Sequence, residues 1–207
     1  MKTNIYVDAF NLYFGCLRGT QYKWLDLDKL SRLMLPRHTI NNIKYFTARV
    51  KPRPNDPTQP NRQQTYIRAL CTIPDLSVIY GHFLSHDVWL PLANTSRERI
   101  QYARVIRTEE KGSDVNIATH LLNDAYQNDY EVAVIISNDS DLVEPVKIVR
   151  GQLGLKIGIL NPHRHPSREL RANSDFFKKI RRSVLAASQF PSTLTDSRGT
   201  ITKPEAW

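Results

Sequence analysis

Two periods of apolar residues divide the chain. Short runs rich in branched and aromatic residues predict strands at 4–10 (NIYVDAF), 43–50 (IKYFTARV), 76–83 (LSVIYGHF), 131–137 (EVAVIIS) and 155–160 (LKIGIL). Between them, apolar residues recur at helical spacing. Leu27, Leu30 and Met34 mark a helix within 24–35, closed by Pro36. A second helix is predicted over 63–73. In a third, 113–126, Ile117, Leu121, Leu122 and Ala125 share one face, and a fourth spans 141–154. The Pro-rich KPRPNDPTQPN (51–61) and the polar PLANTSRERI (91–100) read as loops, and YARVIRTEEKG (102–112) as a strand followed by a turn. The 131–137 run does not alternate, as expected of a strand buried on both faces of a parallel sheet. Strands alternating with helices predict an α/β, Rossmann-like domain with a mainly parallel sheet flanked by helices. No repeat or second domain is visible. The domain is expected over 1–188, its last part being short helices, with a loose tail over 189–207 packed on it or extending from it.

Composition narrows the class. A chain of 207 residues suffices for one well-buried domain. No apolar run approaches membrane-spanning length, and the start MKTNIYVDAFN lacks a secretory apolar stretch. With only Cys16 and Cys71 and no metal-ligand spacing, a reducing, cytoplasmic setting is expected. The 29 Lys and Arg outnumber the 20 Asp and Glu, which favours a polyanionic partner such as nucleic acid. Within that surplus, KKIRR (178–182) reads either as a phosphate-binding run or as a solvated helix face.

The acids concentrate elsewhere. In an open α/β sheet, ligands bind outside the carboxyl ends of the strands. Asp8 ends the first strand, with Asn11 three residues on. Glu109, Glu110 and Asp114 precede the third helix, and Asp139 and Asp141 follow the VAVIIS strand. Each acid has a structural alternative as a helix cap: Asp8 for the helix after it, Ser113 with Asp114, and Asp141 with Glu144 as an acidic capping box. Carboxylates gathered at one edge repel one another, whereas a hard divalent cation reverses that sign. The expected division within SNDSD (137–141) is therefore one carboxylate for the metal, Asp139, and one for the cap, Asp141.

The blocks YVDAFN (6–11), TEEKGSDVNIATHLLNDAY (108–126) and SNDSDLVEPV (137–146) resemble the bacterial NYN family, a branch of the PIN-like nuclease fold. The resemblance spans residues 3–180 and implies hydrolysis of RNA phosphodiester bonds with Mg²⁺ or Mn²⁺ held by Asp8, Asp114 and Asp139. It adds Asn11 to orient a ligand and Asp141 as a brace behind the metal. Relatives often carry another acid where this chain has His120, a departure that favours one ion over two. Arg49, Lys51, Arg53, Arg62 and Lys111 are the expected RNA contacts, and single-stranded or looped RNA the expected substrate. Tyr13 and Phe14 are read as core residues, with base stacking as the alternative. A narrower resemblance, to a subgroup that includes 6-hydroxy-3-succinoylpyridine hydroxylases, implies instead an NADH-dependent monooxygenase. No G-x-G-x-x-G follows a strand to support that. The nearest approach to an iron-binding triad is His82, His86 and Asp87. A third reading is a non-catalytic RNA-binding module.

Overall fold

A computed structural model describes residues 1–93 and 101–207. In chain order the elements are β1 (Lys2–Asp8), α1 (Ala9–Leu12), α2 (Leu27–Met34), β2 (Thr39–Thr47), α3 (Gln59–Leu70) and β3 (Leu76–Tyr80). Next come β4 (His82–Pro91), β5 (Tyr102–Lys111), α4 (Ser113–Tyr126), β6 (Val132–Ile136), α5 (Val143–Lys147) and β7 (Lys156–Asn161). The chain closes with α6 (Arg168–Ala172), β8 (Phe176–Lys179), α7 (Arg182–Ala187), β9 (Thr193–Asp196) and β10 (Gly199–Thr202). Wide π-helical turns extend α1 through Leu17 and α5 through Gln152, and a 3₁₀ turn, Ser140–Leu142, opens α5.

Six strands form one sheet in the order β3-β2-β1-β6-β7-β8, and every pairing is parallel. This is the expected α/β architecture. Alternation along β1 sends Ile5 and Val7 to one face and Tyr6 to the other, so each face buries its own core. β6 is buried at all five positions, as its unbroken apolar run requires. The order reverses between β1 and β6, the crevice where ligands of such sheets bind.

Two segments differ from the sequence reading. The strand expected over 76–83 breaks at Gly81, and a separate strand runs on to Pro91. It pairs antiparallel with β5 to make a two-stranded arm. The polar-loop reading of 91–100 lies outside the described residues from 94 onward. Trp89, Tyr102 and Ile106 are exposed on the arm, so no buried face marks its pattern. KKIRR is not a helix face: Lys178 and Lys179 end the edge strand β8 and Arg182 opens α7. Charge on an edge strand discourages pairing with another chain. The tail contains a hairpin, β9–β10, that joins the core. Ile201 is buried, Phe190 and Trp207 pack on Trp24, and Arg68 of α3 holds Asp196 through two hydrogen bonds. Among the described residues no helix is long and apolar enough to cross a membrane.

Candidate functional site

Register builds the site. Val7 lies opposite Ile136, so Asp8 and Ser137 leave the sheet side by side. The Ser137 hydroxyl donates to Asp8 Oδ2 (3.0 Å) and accepts from the Asp139 N–H (3.1 Å). Asn11 Oδ1 accepts from the Asn138 N–H (2.9 Å), tying the first strand-to-helix turn to the SNDSD loop. Asn138 in turn accepts from the Ser167 N–H and donates to the His165 carbonyl, which anchors the loop after β7. The amide of Asn11 is thus committed on its oxygen side to holding the two loops together.

Asp8 caps α1 by accepting from the Asn11 N–H (2.9 Å). At 137–141 the cap is Asp139, whose Oδ1 accepts from the Asp141 N–H (3.1 Å). The expected cap, Asp141, is instead exposed with its carboxylate free of that duty. The reason is register: β6 ends at Ile136 and Ser137 is committed to Asp8, so the helical turn starts at Ser140, one residue after Asp139.

Two glycines bring in the remaining acids. Gly112 adopts φ +97°, a conformation that side chains disfavour, and turns β5 into α4, placing Asp114 in the first helical turn. At Gly81 a Cβ would lie 2.5 Å from the Lys111 carbonyl oxygen, so only glycine lets the arm close there. Glu110, at the arm's base, accepts from the Ser113 hydroxyl (2.9 Å). The sequence reading named it among the edge acids but gave it no role; the signal for one was its position two residues before the glycine that starts α4.

The carboxylates sense one another. Asp8 is 5% exposed, and burial pushes its carboxyl up to about 6. The bonds from Asn11 and Ser137 oppose that rise, while the charges of Asp114 and Asp139 add to it. Asp114 is raised by burial and by Asp139, Glu110 and Asp141. Among the described residues none of these five acids has an ion-pair partner. Nor are any three ligating side chains there close enough to hold one ion directly. Of the ions that carboxylates hold, such a donor set would suit only one that keeps much of its water shell and takes one or two carboxylates, as Mg²⁺ does. It does not fit a closed protein cage.

His120 stands over a different cluster. Lys44 Nζ lies 2.5 Å from Asp124 and 3.5 Å from His120 Nδ1, and Tyr6 donates to the same Asp124 (2.6 Å). Burial and the Lys44 charge hold the His120 imidazole below its usual range. His82, His86 and Asp87 do not converge: Asp87 points to the opposite face of β4 from the two histidines and pairs with Arg104 (2.5 Å).

A cavity of about 380 Å³ adjoins the acids, walled by Phe10, Phe14, Tyr45, Tyr66, Phe83 and Trp207. Phe14 is 53% exposed, not a core residue, and Tyr13 shares this wall. Of the expected RNA contacts, Arg53 and Arg62 reach the cavity, Arg62 paired with Asp56 (2.5 Å). Lys111 pairs with Glu109, Arg49 stacks on Tyr80 away from the cavity, and Lys51 is exposed.

Residues 2–181 match the family model of the NYN domain. A curated relative from Pseudomonas putida (strain DSM 28022 / S16), described as 6-hydroxy-3-succinoylpyridine 3-monooxygenase HspA, is 30% identical over all of this chain and 75% of its own length. A crystal structure of a Vibrio parahaemolyticus protein of unknown function matches with a TM-score of 0.55 at 18% identity. It covers 87% of this chain and 93% of that one, a likeness of fold.

Proposed function

From the premise that the chain belongs to the NYN domain family, we propose that it is a metal-dependent ribonuclease hydrolysing phosphodiester bonds in single-stranded or looped RNA. The observation that carries this reading is the set of carboxylates that sense one another, Asp8 and Asp139 at the strand-order reversal with Glu110, Asp114 and Asp141, none of them in an ion pair among the described residues. Asp8, Asp114 and Asp139 would hold Mg²⁺ or Mn²⁺, partly through water. Such an ion lowers the pKa of a bound water and offsets charge on phosphoryl oxygens. The chain's own residues do the rest. Ser137 and the Asn11 N–H fix the Asp8 carboxylate; Asn11 and Asn138 lock the two acid-bearing loops in register. Asp141, exposed beside Asp114, adds charge that draws a cation in. Arg53, with no ion-pair partner among the described residues, attracts the RNA backbone.

The test is cleavage of a labelled single-stranded RNA by protein free of other nucleases, with Mg²⁺, with Mn²⁺ and with EDTA. Wild type cleaves only with metal and Asp8→Asn does not. Equal cleavage by both proteins would refute the assignment.

A second reading, NADH-dependent oxygenation of a hydroxypyridine, rests on the name of the Pseudomonas relative and on the aromatic cavity. Against it, Asp8 occupies the helix N-terminus at the first strand-to-helix turn, the place where a dinucleotide's pyrophosphate would sit. NADH oxidation that depends on added hydroxypyridine would favour it.

A further inference from the structure

The cavity and the acids share a wall. Phe10 follows Asp8 by two residues and lines the cavity, and Glu110 both lines it and raises Asp114. A group seated in the cavity is therefore tethered within reach of the carboxylates. The walls are aromatic: Phe10 meets Phe83 edge-on with ring centres 5.6 Å apart, and Trp207 meets Tyr66 at 5.6 Å. Aromatic walls stack on planar rings whatever their sequence.

Several polar groups of the cavity are already engaged: Arg62 with Asp56, Gln63 with Val50 and Ala48, and Glu110 with Ser113. Tyr45 is 8% exposed, and its hydroxyl has no hydrogen-bond partner among the described residues. Its oxygen reaches the open space of the cavity, where a ligand can replace water as its partner. The side chains of Gln59 and Thr108 supply further donors and acceptors. At about 380 Å³ the cavity lies at the small end of ligand sites, enough for one ring and its sugar but closed to a stacked duplex. Charge bears on what the ring carries. Asp56 neutralises Arg62, and Lys23 and Arg53 line the cavity with Glu110, so the lining has one excess cation, which suits a ring joined to a phosphate.

We propose that this cavity receives one unstacked nucleobase of an RNA whose backbone crosses the acid cluster, so that cleavage falls beside an unpaired nucleotide. The proposal rests on the ribonuclease reading and adds to it the group recognised. Arg53, at the cavity mouth, meets a flanking phosphate.

The experiment combines binding and cleavage. AMP and UMP are titrated calorimetrically into wild type, Tyr45→Phe and Phe83→Ala, in parallel with 6-hydroxynicotinate. The same proteins cleave a single-stranded oligonucleotide with or without one abasic position. Wild type binds a mononucleotide, Phe83→Ala weakens binding about tenfold through lost stacking, and Tyr45→Phe weakens it severalfold with an unchanged melting temperature. The abasic position abolishes cleavage at its neighbouring linkage. If wild type cleaves RNA and both variants match it in rate and position, the base site is refuted while the ribonuclease reading stands. Tighter binding of 6-hydroxynicotinate than of either nucleotide also refutes it, in favour of a small aromatic substrate. If nothing cleaves but mononucleotides bind in the stated order of variants, the base site stands and the ribonuclease reading falls.

Discussion

Replacing Asp8 by Asn should make the metal-free protein more stable at neutral pH while removing its activity. Asp8 is buried at the end of β1 beside Asp114 and Asp139, and its carboxyl is raised from 3.8 to about 6. A folded state that binds a proton more tightly than the unfolded chain gains stability at low pH. That gain is full below about 3.8 and is lost as pH rises through about 6. At pH 7.5 the buried charge therefore costs the fold about 3 kcal/mol. Asn keeps an oxygen to accept the Asn11 N–H, and Ser137 can turn its hydroxyl to accept from the amide, so most of the hydrogen bonding survives. After the weaker bonds are deducted, Asp8→Asn should gain about 1–3 kcal/mol at pH 7.5. That corresponds to a melting temperature higher by roughly 3–10 °C for a chain of this size. The gap should narrow by about 2 kcal/mol between pH 7.5 and pH 4.5. Denaturant unfolding of both proteins in EDTA at the two pH values measures it. Added Mg²⁺ should then stabilise wild type, by about 2.7 kcal/mol at a hundredfold excess over the dissociation constant, and leave the variant unmoved. A gap that does not change with pH, or equal stabilisation of both proteins by Mg²⁺, would refute the reasoning.

The two acids of SNDSD should separate in the opposite sense to the sequence reading. Asp139→Ala loses the cap and about 0.5–2 kcal/mol of stability, whereas Asp141→Ala unfolds within about 0.5 kcal/mol of wild type in denaturant. Lys44→Met should cost about 3–5 kcal/mol by stranding the Asp124 carboxylate. Combining it with Asp124→Leu and Tyr6→Phe should restore most of that loss in the same unfolding assay. RNA affinity should fall steeply between about 50 and 200 mM salt, and Arg53→Ala should reduce the logarithmic slope by about 1. A flat salt response would mean that the basic surplus does not neutralise phosphates.

The sheet and its acids were legible because each rests on a local pattern. A parallel strand buried on both faces is an unbroken apolar run, and an acid placed just after one, as Asp8 and Asp139 are, has only the carboxyl edge to occupy. What was not legible depends on partners distant in sequence. The arm carries its apolar residues outward, so no alternation marks it. The choice of Asp139 over Asp141 as cap turns on Ser137 being claimed by Asp8, 129 positions away. The aromatic cavity draws on Phe10, Tyr45, Phe83 and Trp207, which no window of sequence contains. His120 is the instructive case. As a sequence departure it favoured one ion over two. In the fold it lies against Lys44, whose ammonium is matched by Asp124, itself the acceptor of the Tyr6 hydroxyl, and burial together with that ammonium favours its neutral form. A carboxylate at position 120 would compete with Asp124 for the same ammonium. His120 thus belongs with the Lys44–Asp124 pair and Phe46, and it is not among the groups that shift Asp8 or Asp114.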